Sequence, residues 1–484
     1  NMSWENILNY GLKKGKHDIK ATAVFSMEKY TFKSFFADRK DLISNDLPSL
    51  GAATGESLVG VGTGTWGQDR VSTLVGMLLR AQYSYADRYL FSASVRRDGS
   101  SRFSKDNRWG YFPSVSAGWN ISEENFWKPV KDIVNSFKLR VSYGTTGNQN
   151  FGDYTTAATI SQKYDYAFIG SNGLVLNNGS IQTVYANANS KWETTEQFDF
   201  GLDLGFLNGR INLTADYYIK TTKDLLLQAD VPGSSGFTSA TLNVGKLENK
   251  GLEVTLETIN MKNKKFSWTS NFNIAFNSNK ITALTEGKGE ITSYVSWDNK
   301  YKTMPAYVSR IGESAGKMYG FIYEGTYKES DFNVTTGANG KTVYTLKEGI
   351  PAYVKDCQPG DPKYKDMPTI DTNGDGIPDT GDGVITDDDR TTIGDGLPKC
   401  TGGFTNSFTY KNWDLSIFLQ WSLGNDILNA NRMVFENPAK KKNTNMFASY
   451  AGRWTPENSG SDMPRANALG SNEYSSFMWK TVHS

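Results

Sequence analysis

Alternation with a period of two runs through this chain from one end to the other, in stretches of about nine to twelve residues bounded by turns. In "INLTADYYI", Ile211, Leu213, Ala215, Tyr217 and Ile219 fall on one face, with Asn212, Thr214 and Asp216 on the other. "FKLRVSYG" sets Phe137, Leu139, Val141 and Tyr143 against Lys138, Arg140 and Ser142. "YLFSASVRR", "GLEVTLETI" and "DLSIFLQW" repeat the pattern, the last ending on Trp421. One face of each stretch is oily and the other polar. Successive side chains of a strand point to opposite sides, so each stretch separates two different surroundings. The length is what a tilted strand needs to cross a bilayer.

The connections alternate as well. Short ones are "GLKKGKHD", "YADRY", "LNGRI", "NMKNKKF", "IGESAG" and "YKNWD", with "ENFWKPVKDIVN" at 124–135 a somewhat longer link on the same side; long ones run through 37–71, 150–190, 225–243, 283–302 and 329–400, and again from about 425. Short turns on one side and long loops on the other mark an outer-membrane barrel, whereas a soluble sandwich rarely puts its long loops all at one end. About seven hairpins give about fourteen strands, an even number as bacterial barrels have. The expected fold is therefore all-β: a transmembrane antiparallel β-barrel with long extracellular loops.

Composition agrees. Aromatics reach 13%, with 25 Tyr, 26 Phe and 12 Trp, while the hydrophobic share is only 38%. That suits a wall with an oily outside and a polar lumen better than a packed globular core. Lys+Arg at 52 against Asp+Glu at 51 gives no charge with which to capture nucleic acid. No apolar run reaches about 18 residues, so no transmembrane helix is expected. Two histidines, His17 and His483, leave little for histidine-based catalysis. The chain opens on "NMSWENILNY", already strand-like and without a signal peptide, as if processed or part of a longer chain.

One segment departs from this pattern. "DTNGDGIPDTGDGVITDDDR", from residue 371, holds seven aspartates. Its first twelve residues fit a calcium loop, because hard Ca²⁺ needs a ring of oxygens to replace its water shell. Asp371, Asn373 and Asp375 take positions one, three and five, with Gly376 at the turn. Ile377 would offer its carbonyl at seven, and Asp379 and Asp382 stand at nine and twelve. An Asp replaces the usual bidentate Glu at twelve, and no helices flank the loop; the other reading is a solvated acidic turn. A structural calcium would order residues 329–400, a long extracellular loop with too little apolar content for its own core. Cys357 and Cys400 bracket the acidic stretch, and two readings stand side by side: a disulfide closing the loop, or two isolated buried thiols.

Longer stretches resemble a known family. "YLFSASVRRDGSSRFSKDNRWGYFPSVSAGWNISEENFW" with "FKLRVSYGTTGNQNFGDY", and "NSKWETTEQFDFGLDLGFLNGRINLTADYYIKTTKDLL" with "NKGLEVTLET", are similar to the SusC/RagA family of TonB-dependent outer-membrane transporters. So is "GDGVITDDDRTTIGDGLPKCTGGFTNSFTYKNWDLSIFLQ", with its Asp389–Arg390 pair. The likeness runs in family order from about residue 3 to 475. It implies that residues 1–484 are the middle and later part of a barrel of about 22 strands, with the plug and the closing strands lying outside this sequence. It further implies active import, across the bacterial (Bacteroidetes-type) outer membrane, of a bulky nutrient such as an oligosaccharide or a peptide. The implied partners are a SusD-like surface lipoprotein, the TonB complex and outer-membrane lipid. "MPTIDTNGDGIPDT" reads as an insertion relative to that family.

Two other function classes remain. A calcium-stabilised surface adhesin or glycan-binding protein would dissolve without detergent. A carbohydrate-active enzyme would use Asp387 and Asp389 as its carboxylate pair. Neither accounts for strands of membrane length with an oily outer face, so no enzyme activity and no catalytic residues are expected. Trp421, Tyr217 and Tyr218 are expected in interfacial girdles, and Tyr164, Tyr166 and Phe168 are loop candidates for ligand contact.

Overall fold

A computed structural model describes residues 1–37, 39–46, 48–55, 66–150, 152–161, 166–170, 173–177, 179–285, 287–295, 304–338, 340–353, 356–436, 445–466 and 479–481. The chain divides into two compact units, Asn1–Glu248 and Asn249–Ser484. Strands dominate both, and the one α-helix among the described residues is short, Ala430–Phe435. No described helix is long and apolar enough to cross a membrane.

In the first unit eight long strands are antiparallel neighbours in chain order. They are β1 (Met2–Lys14), β2 (His17–Phe36), β3 (Trp66–Tyr85), β4 (Tyr89–Ser100), β5 (Trp109–Asn120), β6 (Val134–Asn148), β7 (Glu193–Phe206) and β8 (Ile211–Lys223). Four more follow in the second: β9 (Lys246–Lys262), β10 (Phe266–Ala283), β11 (Cys400–Tyr410) and β12 (Trp413–Leu423). The long strands among the described residues thus number twelve rather than fourteen.

The missing hairpin is the one read around "IGESAG". Pro305–Arg310 and Lys317–Gly320, on either side of it, belong to a separate four-stranded sheet with Glu290–Tyr294 and Thr391–Gly394. At six and four residues they are too short to span a bilayer. That small sheet lies in the connection 284–399 between β10 and β11, which is longer than the expected loop at 329–400.

Register carries the sequence alternation across the sheet. One row of cross-strand partners runs Tyr83, Phe91, Ala117, Val141, Phe200, Tyr217. One residue away, the opposite face runs Gln82, Ser92, Ser116, Ser142, Asp199, Tyr218. The apolar face is left open where it can be judged among the described residues: Leu79, Phe91 and Val115 are 62, 52 and 56% exposed. A soluble sheet would hide these side chains, whereas a lipid-facing one leaves them to the acyl chains.

Tight turns close one end of the hairpins. Ala86 and Asp87 (φ 54° and 57°) join β3 to β4, and Leu207 and Asn208 (φ 52° and 57°) open the β7–β8 turn. Paired left-handed residues match the twist of a two-stranded ribbon, which explains why non-glycine residues accept that region here. The opposite end carries 37–65, 149–192 and 224–245 in the first unit and 284–399 in the second.

Buried aromatics gather in and beside the connections at that end. Phe103, Phe112 and Trp192 form one cluster. Phe321, Tyr364 and Ile385 form a second, and Tyr327, Phe332 and Cys357 a third. The loops of the second unit therefore have cores of their own, made largely by aromatics.

Candidate functional site

On the polar face of the first unit the small residues Ser92, Ser116 and Ser142 make the floor of a concavity of about 420 Å³. Their size leaves the space, and register brings them side by side on β4, β5 and β6. Lys20, Arg80 and Arg140 are among the charges around it, and Asp18 and Asp199 are its carboxylates. Arg140 is held from behind, with its Nε 2.8 Å from Asp203 and a terminal nitrogen 2.9 Å from Asp216. Fixed charge over a floor of hydroxyls suits a polar, hydrogen-bonding ligand. His17, the one described histidine, hydrogen-bonds Tyr83 at an exposed position; His483 lies outside the described residues.

In the second unit the acidic stretch resolves into two parts. The residues matched to calcium positions face their own backbone. Asp371 accepts from the amides of Gly374 and Gly376, both at 2.7 Å. Asn373 accepts from Asp375 N–H, Asp375 from Ile377 N–H, and Asp382 from Val384 N–H. Asp379 accepts from the amide and hydroxyl of Thr372. These are turn-making bonds of the kind short polar side chains favour. Among the described residues no three His, Cys, Asp or Glu side chains gather as a metal site requires. As folded, the described carboxylates are not gathered around one point, which is what a Ca²⁺ ion would require of them. The Gly376 and Gly374 amides hold the Asp371 carboxyl below the usual carboxylate range, and the Thr372 hydroxyl does the same for Asp379.

The second part is structural. Asp389 is fully buried and accepts from Met367 N–H at 2.7 Å and Thr386 N–H at 2.6 Å, capping the turn Asp387–Asp389. Arg390 lies 4.4 Å over the Phe321 ring and donates to exposed Asp387 at 2.9 Å. With one carboxylate sealed and the other tied to an arginine, the pair considered for glycoside chemistry is a loop fastener. Asp366 reaches the same place. Burial, then nearby Asp389 and Asp382, push its carboxyl above the usual range, against the Gly383 amide, which pulls it down.

Cys357 and Cys400 are both free thiols. Cys357 is buried in the third aromatic cluster, where burial pushes its thiol up to about 11. Cys400 starts β11, paired with Leu423. Of the aromatics singled out from the sequence, Tyr217 is on the apolar row but Tyr218, its neighbour, is on the polar one. Trp421 packs on Phe272 with ring centres 5.7 Å apart. Tyr166 is exposed on the hairpin Tyr166–Gly170/Gly173–Asn177, while Tyr164 lies outside the described residues, as does the side chain of Phe168.

A feature invisible to sequence reading is the seam between 323–364 and 445–466. Tyr323 O–H donates to the Asp462 carbonyl, and Thr326 O–H to the Ser461 carbonyl at 2.7 Å. Lys328 Nζ reaches the Gly460 and Ser461 carbonyls at 3.1 Å each. Only the spacing of polar residues hints at it, and many loops share such spacing.

Comparison with known proteins matches the fold just described. Residues 8–355 match the family described as TonB dependent receptor-like, beta-barrel. "TonB-dependent receptor P3" of Formosa agariphila is 33% identical over 95% of this chain and 42% of its own length. "TonB-dependent receptor SusC" of Bacteroides thetaiotaomicron is 36% identical over 73% of this chain and 31% of its own. Among solved structures, the RagAB peptide transporter superposes over 99% of this chain and 47% of its own, with a TM-score of 0.74 at 23% identity. The chain thus spans less than half the length of the relatives it matches.

Proposed function

Because the chain belongs to the TonB-dependent receptor-like β-barrel family of the outer membrane, we propose that it forms part of the wall of an active importer for a bulky polar nutrient. The observation that carries this reading is the two-sided register: a continuous oily row outward, and one residue away a serine-floored, charge-rimmed concavity. A wall with lipid on one side and a hydrated path on the other has that pattern. The nutrient class we propose is an oligosaccharide or a peptide, since hydroxyls and fixed charges recognise both. The proposed partners are a SusD-like surface lipoprotein above the long connections and the TonB complex as energy source. Transport, without catalysis, is the activity proposed.

The test is recovery of the full-length receptor from detergent-solubilised outer membranes by an affinity tag, with co-purifying chains identified by mass spectrometry. A stoichiometric surface lipoprotein, together with loss of nutrient uptake on gene deletion, supports the importer. Recovery from the soluble fraction without a partner would overturn it in favour of the adhesin reading.

A further inference from the structure

Two outward-facing aromatic pairs of the first unit mark two levels of the sheet. Tyr89 and Trp119, at the short-turn end, stack with ring centres 6.5 Å apart. Their polar tips both reach Glu124 Oε1, at 2.6 and 3.3 Å. At the other level are Trp109 and Tyr111, and between them stands Arg97 of β4. The steps from Tyr89 to Arg97 along β4, tilted as barrel strands are, rise about 20 Å, close to the height of a barrel's apolar band. Phe91, Ala93 and Val95 fill that face in between. Arg97 therefore lies at the headgroup level on the side of the long connections.

Its surroundings are unusual for an arginine. The guanidinium carbon is 4.1 Å from the Trp109 ring centre and 5.4 Å from that of Tyr111. Its Nε is buried and has no hydrogen-bond partner. Asp98, next in the chain, points to the opposite face and is taken by Arg96 at 2.7 Å. Arginine cannot shed its charge, and a guanidinium held by its faces keeps its N–H edge for a planar or tetrahedral oxyanion.

Directly toward the membrane centre from this clamp runs a groove of about 500 Å³. Register aligns Ala21, Ala81 and Ala93 as its floor, and Leu79, Val95 and Pro113 are among its walls. Val95 and Pro113 are the same-face neighbours of Arg97 and Tyr111, so groove and clamp are continuous.

We propose that clamp and groove together bind one phosphorylated membrane lipid, with its phosphate at Arg97 and an acyl chain laid over the alanine floor. Neither half alone specifies this: the cation asks for an anion, and the groove asks for a chain attached to it. The site depends on the membrane placement of the sheet and not on what the receptor imports.

The test is native mass spectrometry of the full-length receptor, extracted from its own outer membrane in mild detergent, counting retained phosphorylated lipid. Wild type is expected to keep one. Arg97→Ala, which removes a charge-assisted contact, should lower its occupancy about tenfold, and Ala93→Trp, which fills the floor but keeps the arginine, should lower it too. Excess inorganic phosphate should not displace the lipid. Equal retention in wild type and both variants would overturn the site, as would displacement by inorganic phosphate, which marks a free-anion site. Heat-modifiable migration reports folding; Arg97→Gln and Ala93→Leu replace any variant that fails it.

Discussion

Arg465 donates from Nε to Asp361 at 2.8 Å, closing a contact between positions 104 residues apart. Asp361 is fully buried and also accepts from Gln358 N–H. This pair anchors the seam that fastens 445–466 to the loop layer. Arg465→Ala takes the guanidinium away from a buried carboxylate, so a local loss of about 3–5 kcal/mol is expected. Arg465→Lys should recover only part, since an ammonium cannot match the guanidinium fork. Limited proteolysis across 323–364 reads the effect; unchanged cleavage in Arg465→Ala would refute the anchor.

Gly360, in the same seam, has φ +88° and lies under Trp454, where an added Cβ would come within 2.5 Å of the ring. Gly360→Ala should cost about 1–3 kcal/mol in backbone strain alone, plus the displacement of the indole. Gly340, with φ +73° and open space around it, isolates the backbone part. We expect Gly340→Ala to cost less than Gly360→Ala in chemical denaturation of the loop layer; equal costs would remove Trp454 from the account.

Trp192 packs on Phe103 and Phe112, at 5.0 and 5.4 Å between ring centres, and donates to the Arg108 carbonyl at 3.1 Å. It pins the long connection 149–192 to the loop 101–108. Trp192→Ala should cost about 3–5 kcal/mol and expose 149–192 to protease while β6 and β7 keep their exchange protection. Loss of protection in both strands would show that the cluster supports the sheet itself.

The acidic turn predicts opposite pH responses at two aspartates. Asp371 has a lowered carboxyl, so its stabilising bonds are present above about pH 4, the ordinary carboxylate value, and are lost as pH falls through the lower folded value. Protection of the Gly374 and Gly376 amides, taken relative to their intrinsic exchange rates, should therefore fall on acidification, and Asp371→Ala should abolish that dependence. Asp366 has a raised carboxyl, so the folded form holds its proton longer and its contribution fades as pH rises. Asp366→Asn should stabilise the loop at neutral pH by a margin that narrows on acidification. A margin independent of pH would contradict the assignment.

Calcium binding would require the carboxylates of Asp371, Asp375, Asp379 and Asp382, which now accept from amides and a hydroxyl of their own loop, to gather around one point. Protease protection of 366–390 is therefore expected to be the same in chelator and in millimolar Ca²⁺. Calcium-dependent protection that disappears in Asp371→Asn/Asp375→Asn would restore the cation to the loop.

The twelve long strands were legible because each face meets one uniform medium for its whole length, which writes a period of two into the sequence. The hairpin around residue 311 shows the limit of that signal. Ala306 and Val308 alternate just as regularly, yet both are 1% exposed inside a loop layer. Alternation reports that a face is covered and not what covers it. Asp389 and Arg390 were found by resemblance, but their tasks depend on Met367 and Phe321, partners distant in sequence. The calcium pattern meets a related limit: spacing names oxygens, whereas a cage also needs them turned inward, which the chelator comparison tests.

The tight β3–β4 turn at Ala86 and Asp87 carries a practical consequence. A single residue inserted there would rotate β4 by one position, bringing Ser92 and Ser94 to the membrane and Phe91 and Val95 to the water-filled side. An insertion in 224–245, at the other end, shifts no register, because the slack of the connection absorbs it. Epitope tags, fluorophores and evolutionary length changes should therefore all be admitted from the same side of the molecule.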